Sequence, residues 1–221
     1  MEFEPILDPP GPILIHRQVH RDPRGAFVEC YHAPRYREAG ITEAFVQANC
    51  SRSRSRVLRG LHFQRPHAQG KLVSVTRVEV FDVAVDIRLG SSTFGRAVTV
   101  RLSAENGRQL YIPPDFAHGF LTLSVEADVI YHCTDLYHPN GEHTLRWDDP
   151  RLEIDWPVRE PIVSDKDEAG LTLDELERAG RLPTLPIFPA EPRLDCRREE
   201  HPAGPGAVPG AVRGAVPERV G

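Results

Sequence analysis

Cysteine is scarce in this 221-residue chain, and positive charge is not in excess. The four cysteines, Cys30, Cys50, Cys133 and Cys196, lie far apart and form no CxxC pair. That spacing argues against a zinc knuckle and against a disulfide framework; incidental or buried thiols in a reducing cytoplasm fit it better. Lys and Arg number 27 against 32 Asp and Glu, a net charge of −5. A general nucleic-acid binder carries the opposite balance, although a local basic pocket for an anionic small molecule is still compatible. No apolar run approaches the roughly 18–20 residues needed to span a membrane. The opening MEFEPILDPPGPIL is acidic and Pro-rich, without the basic and apolar regions of a secretory signal. GxSxG, P-loop and GxGxxG motifs are also missing, which removes the commonest nucleophile and nucleotide signatures.

What is present is β-strand signal. Residues 71–88, KLVSVTRVEVFDVAVDIR, are Val-rich with partial alternation. AVTVRLSA (97–104), RQLYIP (108–113), HGFLTLSV (118–125) and DVIYHCTD (128–135) follow, separated by Gly, Pro, Asn or Asp turns. Many short strands at close spacing predict an all-β sandwich or barrel. Helical patterns are confined to APRYREAG (33–40) and to TLDELERAG (172–180), which has a Thr cap and a Gly stop. A jelly roll with a few peripheral helices is the expected architecture, and it leaves a cavity between its sheets for a small ligand. The patterned region, 1–185, is expected to form one domain. Residues 186–221, dense in Pro, Gly, Ala and Arg with the imperfect repeat GAVPGAVRGAVPE, are expected to be disordered.

Polar residues stand at particular places in the β region. Arg59, His62 and Lys71 lie in or beside the first central strand, His118 in PPDFAHGF, Tyr131 in VIYHCTD and Asp167 in SDKD. Each alone has an ordinary explanation. A strand histidine is more often a surface or satisfied core residue, a strand tyrosine is more often core, and a lysine before LVSV can guard a strand edge. Together, strands distant in sequence can bring them to one cavity. A metal site is poorly matched: His62 and His67 are five apart, an odd spacing that points them to opposite faces, and the position two after His62 is Gln64. A triad of His62, His118 and Glu142 stays open as the metal alternative. A His base, a Tyr acid, a Lys to hold an oxyanion and an Asp to orient the His suit proton abstraction next to a carbonyl.

Several segments together resemble the dTDP-4-dehydrorhamnose 3,5-epimerase family: NCSRSRSRVLRGLHFQRPHAQGKLV, VFDVAVDIRLGSSTFG, YIPPDFAHGFLTL, VIYHCTDLYHPNGEHTLRWDDP and IDWPVREPIVSDKD. The match runs in order from about Pro5 to Pro183. The resemblance implies a cupin-type jelly roll, a homodimer, and no metal or organic cofactor. It implies conversion of dTDP-4-dehydro-6-deoxy-D-glucose to dTDP-4-dehydro-L-rhamnose, with inversion at C3 and C5. A relative inverting only one of these carbons, in the making of an antibiotic deoxysugar, is the alternative, and a metal-dependent cupin or one that only binds a ligand is the more distant one. By the same resemblance His62 is the base, Asp167 its supporting carboxylate, Lys71 the stabiliser of the enolate oxygen and Tyr131 the acid. Arg24 and Arg59 match contacts to the diphosphate. Glu29, Gln47, Asn49, His118, Glu142 and Lys166 match other substrate contacts, and Tyr137 matches the thymine-stacking aromatic. In this family some N-terminal residues serve the partner's site.

One structural expectation comes from spacing alone. Arg59 and His62 are three apart, so a regular strand would turn them to opposite faces. If both line one pocket, the strand must bulge near Gly60.

Overall fold

The computed structural model describes residues 1–7 and 11–185. The expectations for residues 186–221, and for Cys196 within them, lie outside the described residues; Cys30, Cys50 and Cys133 are free thiols. Thirteen strands are described: β1 (Glu2–Pro5), β2 (Ile13–His16), β3 (Val19–Asp22), β4 (Gly25–Val28), β5 (Gln47–Arg54), β6 (Leu58–Gln64), β7 (Lys71–Arg77), β8 (Glu79–Asp86), β9 (Ala97–Ser103), β10 (Arg108–Ile112), β11 (Phe116–Thr122), β12 (Glu126–Cys133) and β13 (Glu142–Thr144). Three short helices accompany them: α1 (Ala33–Glu38), α2 (Asp165–Glu168) and α3 (Leu173–Arg178).

The strands form a six-stranded sheet, β1-β2-β10-β7-β12-β5, and a five-stranded sheet, β13-β6-β11-β8-β9. β3 and β4 make a separate hairpin. The chain crosses between the sheets from β5 to β6, from β6 to β7 and again from β7 to β8, and every strand pair is antiparallel. This is the jelly roll expected from the strand spacing, of the cupin type that the family resemblance implies. Residues 71–88 divide into β7 and β8 at Val78, which takes φ +62°. A β-branched residue disfavours that region, so nothing in the local sequence marks the turn.

Three apolar layers fill the fold. Val73, Val75, Leu110, Ile112 and Val129 of the first sheet meet Val80, Ala84, Leu102, Phe116 and Phe120 of the second. Behind the second sheet, Leu61, Phe63, Val83, Val85 and Ile87 pack under Leu152, Leu173, Leu176 and Leu182 of the C-terminal segment. Behind the first, Ile15, Leu72 and Tyr111 lie under Tyr36 of α1 and Ile41. Strands covered on both faces lose polar alternation, which is why β7 and β11 read as continuous buried runs. α3 starts with a capping box between Thr172 and Glu175, as its sequence predicts.

Candidate active site

A cavity of about 680 Å³ opens between the sheets. Gln47, Asn49 and Ser51 of β5, Lys71 of β7 and Tyr131 of β12 line it from the six-stranded sheet. Arg59, His62 and Gln64 of β6 and His118 and Phe120 of β11 line it from the other. The pairing explains the first group: Tyr131 lies opposite Asn49, and Cys133 is flanked by Gln47 and Lys71, so all share the inward face.

Arg59 and His62 both line the cavity, and the bulge required for this is present. On β11, His118 pairs with His62 and Phe120 with Arg59, so two steps on one strand match three on the other. Gly60 sits within the bulge at φ +117°. β13 then pairs with β6, placing Glu142 opposite Gln64.

His62 Nε2 lies 2.6 Å from Asp167 Oδ1, and the Gly60 N–H donates to Asp167 Oδ2 at 3.3 Å. Asp167 is held by α2, where Ser164 caps the helix by accepting from the Asp167 N–H. Burial pushes the Asp167 carboxyl up; the hydrogen bond and charge of His62, with the Gly60 N–H and Ser164, outweigh it and leave the group below its usual range. An ionised carboxylate only accepts, so it holds the proton on Nε2 and leaves Nδ1 as the basic nitrogen of His62.

The other groups are as tightly placed. Lys71 is 9% exposed, donates to the His62 carbonyl at 3.4 Å, and is lowered in pKa by burial. Burial raises the Tyr131 hydroxyl, which favours its protonated, donor form. His118, buried, faces both oxygens of Asp82 at 3.1 Å, and its pKa is lowered because burial outweighs that carboxylate. Lys166 pairs with Glu142 at 2.6 Å, and the Tyr137 hydroxyl donates to the same carboxylate at 2.8 Å. Gln47 accepts from the Tyr137 N–H and donates to Asn49. Arg59 donates to Ser53 Oγ at 2.9 Å. The chain has two lysines, Lys71 and Lys166, and both line the cavity.

Eleven of the thirteen expected site residues meet here. Arg24 and Glu29 do not. They belong to the exposed β3–β4 hairpin and its exit, where Arg24 pairs with Asp22 and Glu29 with Arg35. The metal alternative is not assembled: His62 and His118 are turned to aspartates, Glu142 to Lys166, and the three are not a convergent ligand group among the described residues. Ser51, Gln64, Gln69 and Asp82 were not anticipated. Asp82 had a signal, since a charge inside VFDVAVDIR needs a buried partner.

A profile of the family described as dTDP-4-dehydrorhamnose 3,5-epimerase matches residues 7–175. The chain belongs to this family. A dTDP-4-dehydrorhamnose 3,5-epimerase of Methanothermobacter thermautotrophicus is 52% identical over 160 residues, covering 71% of this chain and 86% of the relative. Among solved structures, the Legionella pneumophila dTDP-6-deoxy-D-glucose-3,5-epimerase in complex with dTDP-4-keto-L-rhamnose is 50% identical. Its TM-score is 0.79, with 83% of this chain and 98% of that one covered. NovW, a 4-keto-6-deoxy sugar epimerase from the novobiocin biosynthetic gene cluster of Streptomyces spheroides, is 40% identical at TM-score 0.80, with 83% of this chain and 93% of that one covered. By family this chain is an epimerase, and so an isomerase.

Proposed function

We propose that the domain of residues 1–185 epimerises a dTDP-4-keto-6-deoxyhexose at C3 and C5, converting dTDP-4-dehydro-6-deoxy-D-glucose to dTDP-4-dehydro-L-rhamnose. The observation that carries this reading is the entry of His62 and Tyr131 into one cavity from opposing sheets, with Lys71 between the same walls. Inversion needs a base on one face of the sugar and an acid on the other. His62 Nδ1 removes the proton α to the C4 ketone, and Asp167 stabilises the resulting imidazolium. The electron pair moves to the ketone oxygen, where the buried amino group of Lys71 donates a hydrogen bond that stabilises the enolate. The Tyr131 hydroxyl then returns a proton from the opposite side. Rotation of the product enolate, or the symmetry of C3 and C5 about the ketone, presents the second carbon to the same groups.

Arg59 is assigned to the diphosphate, where its guanidinium fork suits phosphate oxygens. Tyr137 is assigned to the thymine ring, Gln47, Asn49, Glu142 and Lys166 to polar contacts, and His118, fixed by Asp82, to the keto sugar. The chemistry asks only for proton transfer and therefore for no redox cofactor. Arg24 and Glu29 are assigned to the cavity of a second copy in a homodimer. Their hairpin carries Phe27, 70% exposed, which supports its insertion into a partner. A cytoplasmic setting is supported by the free thiols; no described helix is long and apolar enough to cross a membrane.

The second reading, inversion at one carbon only, is favoured by the similarity to ChmJ, a 3'-monoepimerase from Streptomyces bikiniensis that is 36% identical at TM-score 0.77. Incubation with the 4-keto nucleotide sugar in D2O separates the two. Deuterium at both C3 and C5 with inversion supports the first; deuterium confined to one carbon supports the second.

A further inference from the structure

Two histidines and an aspartate that the epimerase chemistry does not use come together beside the cavity. They are His67, on the turn between β6 and β7, and Asp135 and His138, on the segment after β12. The imidazoles of His67 and His138 stack with ring centroids 4.1 Å apart, and His67 Nδ1 lies 3.4 Å from Asp135 Oδ2. One ligand atom from each of the three lies within 4.8 Å of the others, and this is the one such cluster among the described residues.

Side chains from β6 and from the turn after it fasten the backbone beneath the cluster. Gln64, buried, donates to the His67 carbonyl at 2.5 Å and to the Leu136 carbonyl at 3.0 Å, and accepts from the His138 N–H at 2.7 Å. Gln69 donates to the Asp135 carbonyl, and Gly70 and Thr134 exchange two further hydrogen bonds. Asp135 Oδ1 accepts from the Leu136 N–H, which fixes the carboxylate and leaves Oδ2 toward His67. His67 itself stands at φ +68°, a left-handed region that histidine enters more readily than most non-glycine residues. Fixed backbones and an oriented carboxylate are the support that metal ligands need.

We propose that His67, Asp135 and His138 bind a divalent transition-metal ion of the zinc class, tying the two loops together beside the cavity. Two imidazoles and one carboxylate favour Zn²⁺, Ni²⁺ or Cu²⁺ over Mg²⁺ or Ca²⁺, which prefer all-oxygen sites. Three protein ligands leave a fourth position for water. Ion–ligand bonds of about 2.0–2.2 Å bring the ligand atoms to about 3.4 Å from one another. Rotation of the His67 side chain, 53% exposed, supplies that closure. The bound ion opens the stack and holds the loop that carries Tyr137. The site stands apart from the catalytic groups and plays no part in proton transfer.

The test uses the full-length chain without an affinity tag, stripped by chelator and titrated with Zn²⁺ against a chromophoric competitor. The expected result is one ion per chain and a raised Tm, with affinity reduced about tenfold or more in H67Q, in H138Q and in D135N. The double variant H67Q/H138Q should abolish the site while keeping turnover in chelator. Stoichiometric binding that persists unchanged in the double variant overturns the proposal, as does no binding above the level of that variant. Cu²⁺-loaded wild type supplies a readout that needs no variant. Electron paramagnetic resonance showing two coupled imidazole nitrogens supports the site, and one or none overturns it.

Discussion

Gly60 and Gly119 cross backbone to backbone. A Cβ on Gly60 would stand 2.6 Å from the Gly119 Cα, and a Cβ on Gly119 would stand 2.5 Å from the Arg59 carbonyl oxygen. This crossing permits the β6 bulge, and the bulge turns Arg59 and His62 into one cavity. Gly60→Ala and Gly119→Ala should each cost about 2–4 kcal/mol, because the atoms met are backbone and cannot swing away. Gly90, at φ +87° with open space around it, is the control; Gly90→Ala should cost roughly 1–2 kcal/mol, the strain of φ alone. Urea midpoints measure all three. Turnover should fall in the first two variants and hold in the third.

Asp167→Asn keeps the shape of the dyad and removes the charge that supports a protonated His62. Its kcat should fall by about 10²–10⁴-fold with little change in KM, since the loss falls on the proton-transfer step. An equal loss expressed wholly in KM would assign Asp167 to binding instead. Steady-state kinetics on the 4-keto nucleotide sugar decide the matter.

Tyr131→Phe separates abstraction from return. His62 can still remove the proton, while the acid on the opposite face is gone. Inverted product should fall by roughly 10²–10³-fold, and in D2O the recovered substrate should carry deuterium with its configuration retained. NMR of the sugar ring reads both quantities. Recovered substrate without deuterium would move the base role away from His62.

Arg24 lies outside the cavity of its own chain, and so does Glu29. In the proposed homodimer, Arg24→Ala should raise KM by about tenfold or more through loss of a charge-assisted contact to the nucleotide sugar. Mixing Arg24→Ala with inactive His62→Asn should create a population of sites with the wild-type KM, because one of the two sites in a mixed dimer then has neither lesion. A mixture that shows only the raised KM of Arg24→Ala after subunit exchange would place Arg24 at its own chain's site.

Asp86 offers a test of stability. Its carboxylate is fully buried and accepts from Arg88 at 2.8 and 2.7 Å and from Ser91 and Thr93 at 2.6 Å. Burial raises its pKa, but the bonds from Arg88, Ser91 and Thr93 prevail and leave it lowered. A lowered folded-state pKa contributes stability that is complete above the unfolded value, about 3.9, and disappears as pH falls through the folded value. Asp86→Asn should therefore cost about 1.5–3 kcal/mol at neutral pH, where it replaces charge-assisted bonds from Arg88, Ser91 and Thr93 by neutral ones, and less in acid. Urea midpoints from pH 3 to 7 should show the gap between wild type and variant narrowing only toward the acid end.

Much of this was legible before any tertiary structure. Short β-branched runs between turn residues announced two packed sheets, and the Thr172 cap announced α3, because face periodicity and capping are local properties. The motifs around His62, Lys71, Tyr131 and Asp167 named the set of groups, and the odd spacing of Arg59 and His62 required a bulge. Tertiary structure alone decided which strands pair, and long-range pairing leaves no local mark. It divided 71–88 at Val78, where no turn residue stands. It put Asp82 behind His118 and a two-carbonyl grip of Gln64 beneath His67 and His138. It also left Arg24 and Glu29 outside the cavity that the other eleven share. The sequence by itself determined where the short strands run and which groups carry the chemistry, because periodicity and motifs are local; only the folded chain set which of those groups meet, because strand pairing is long-range.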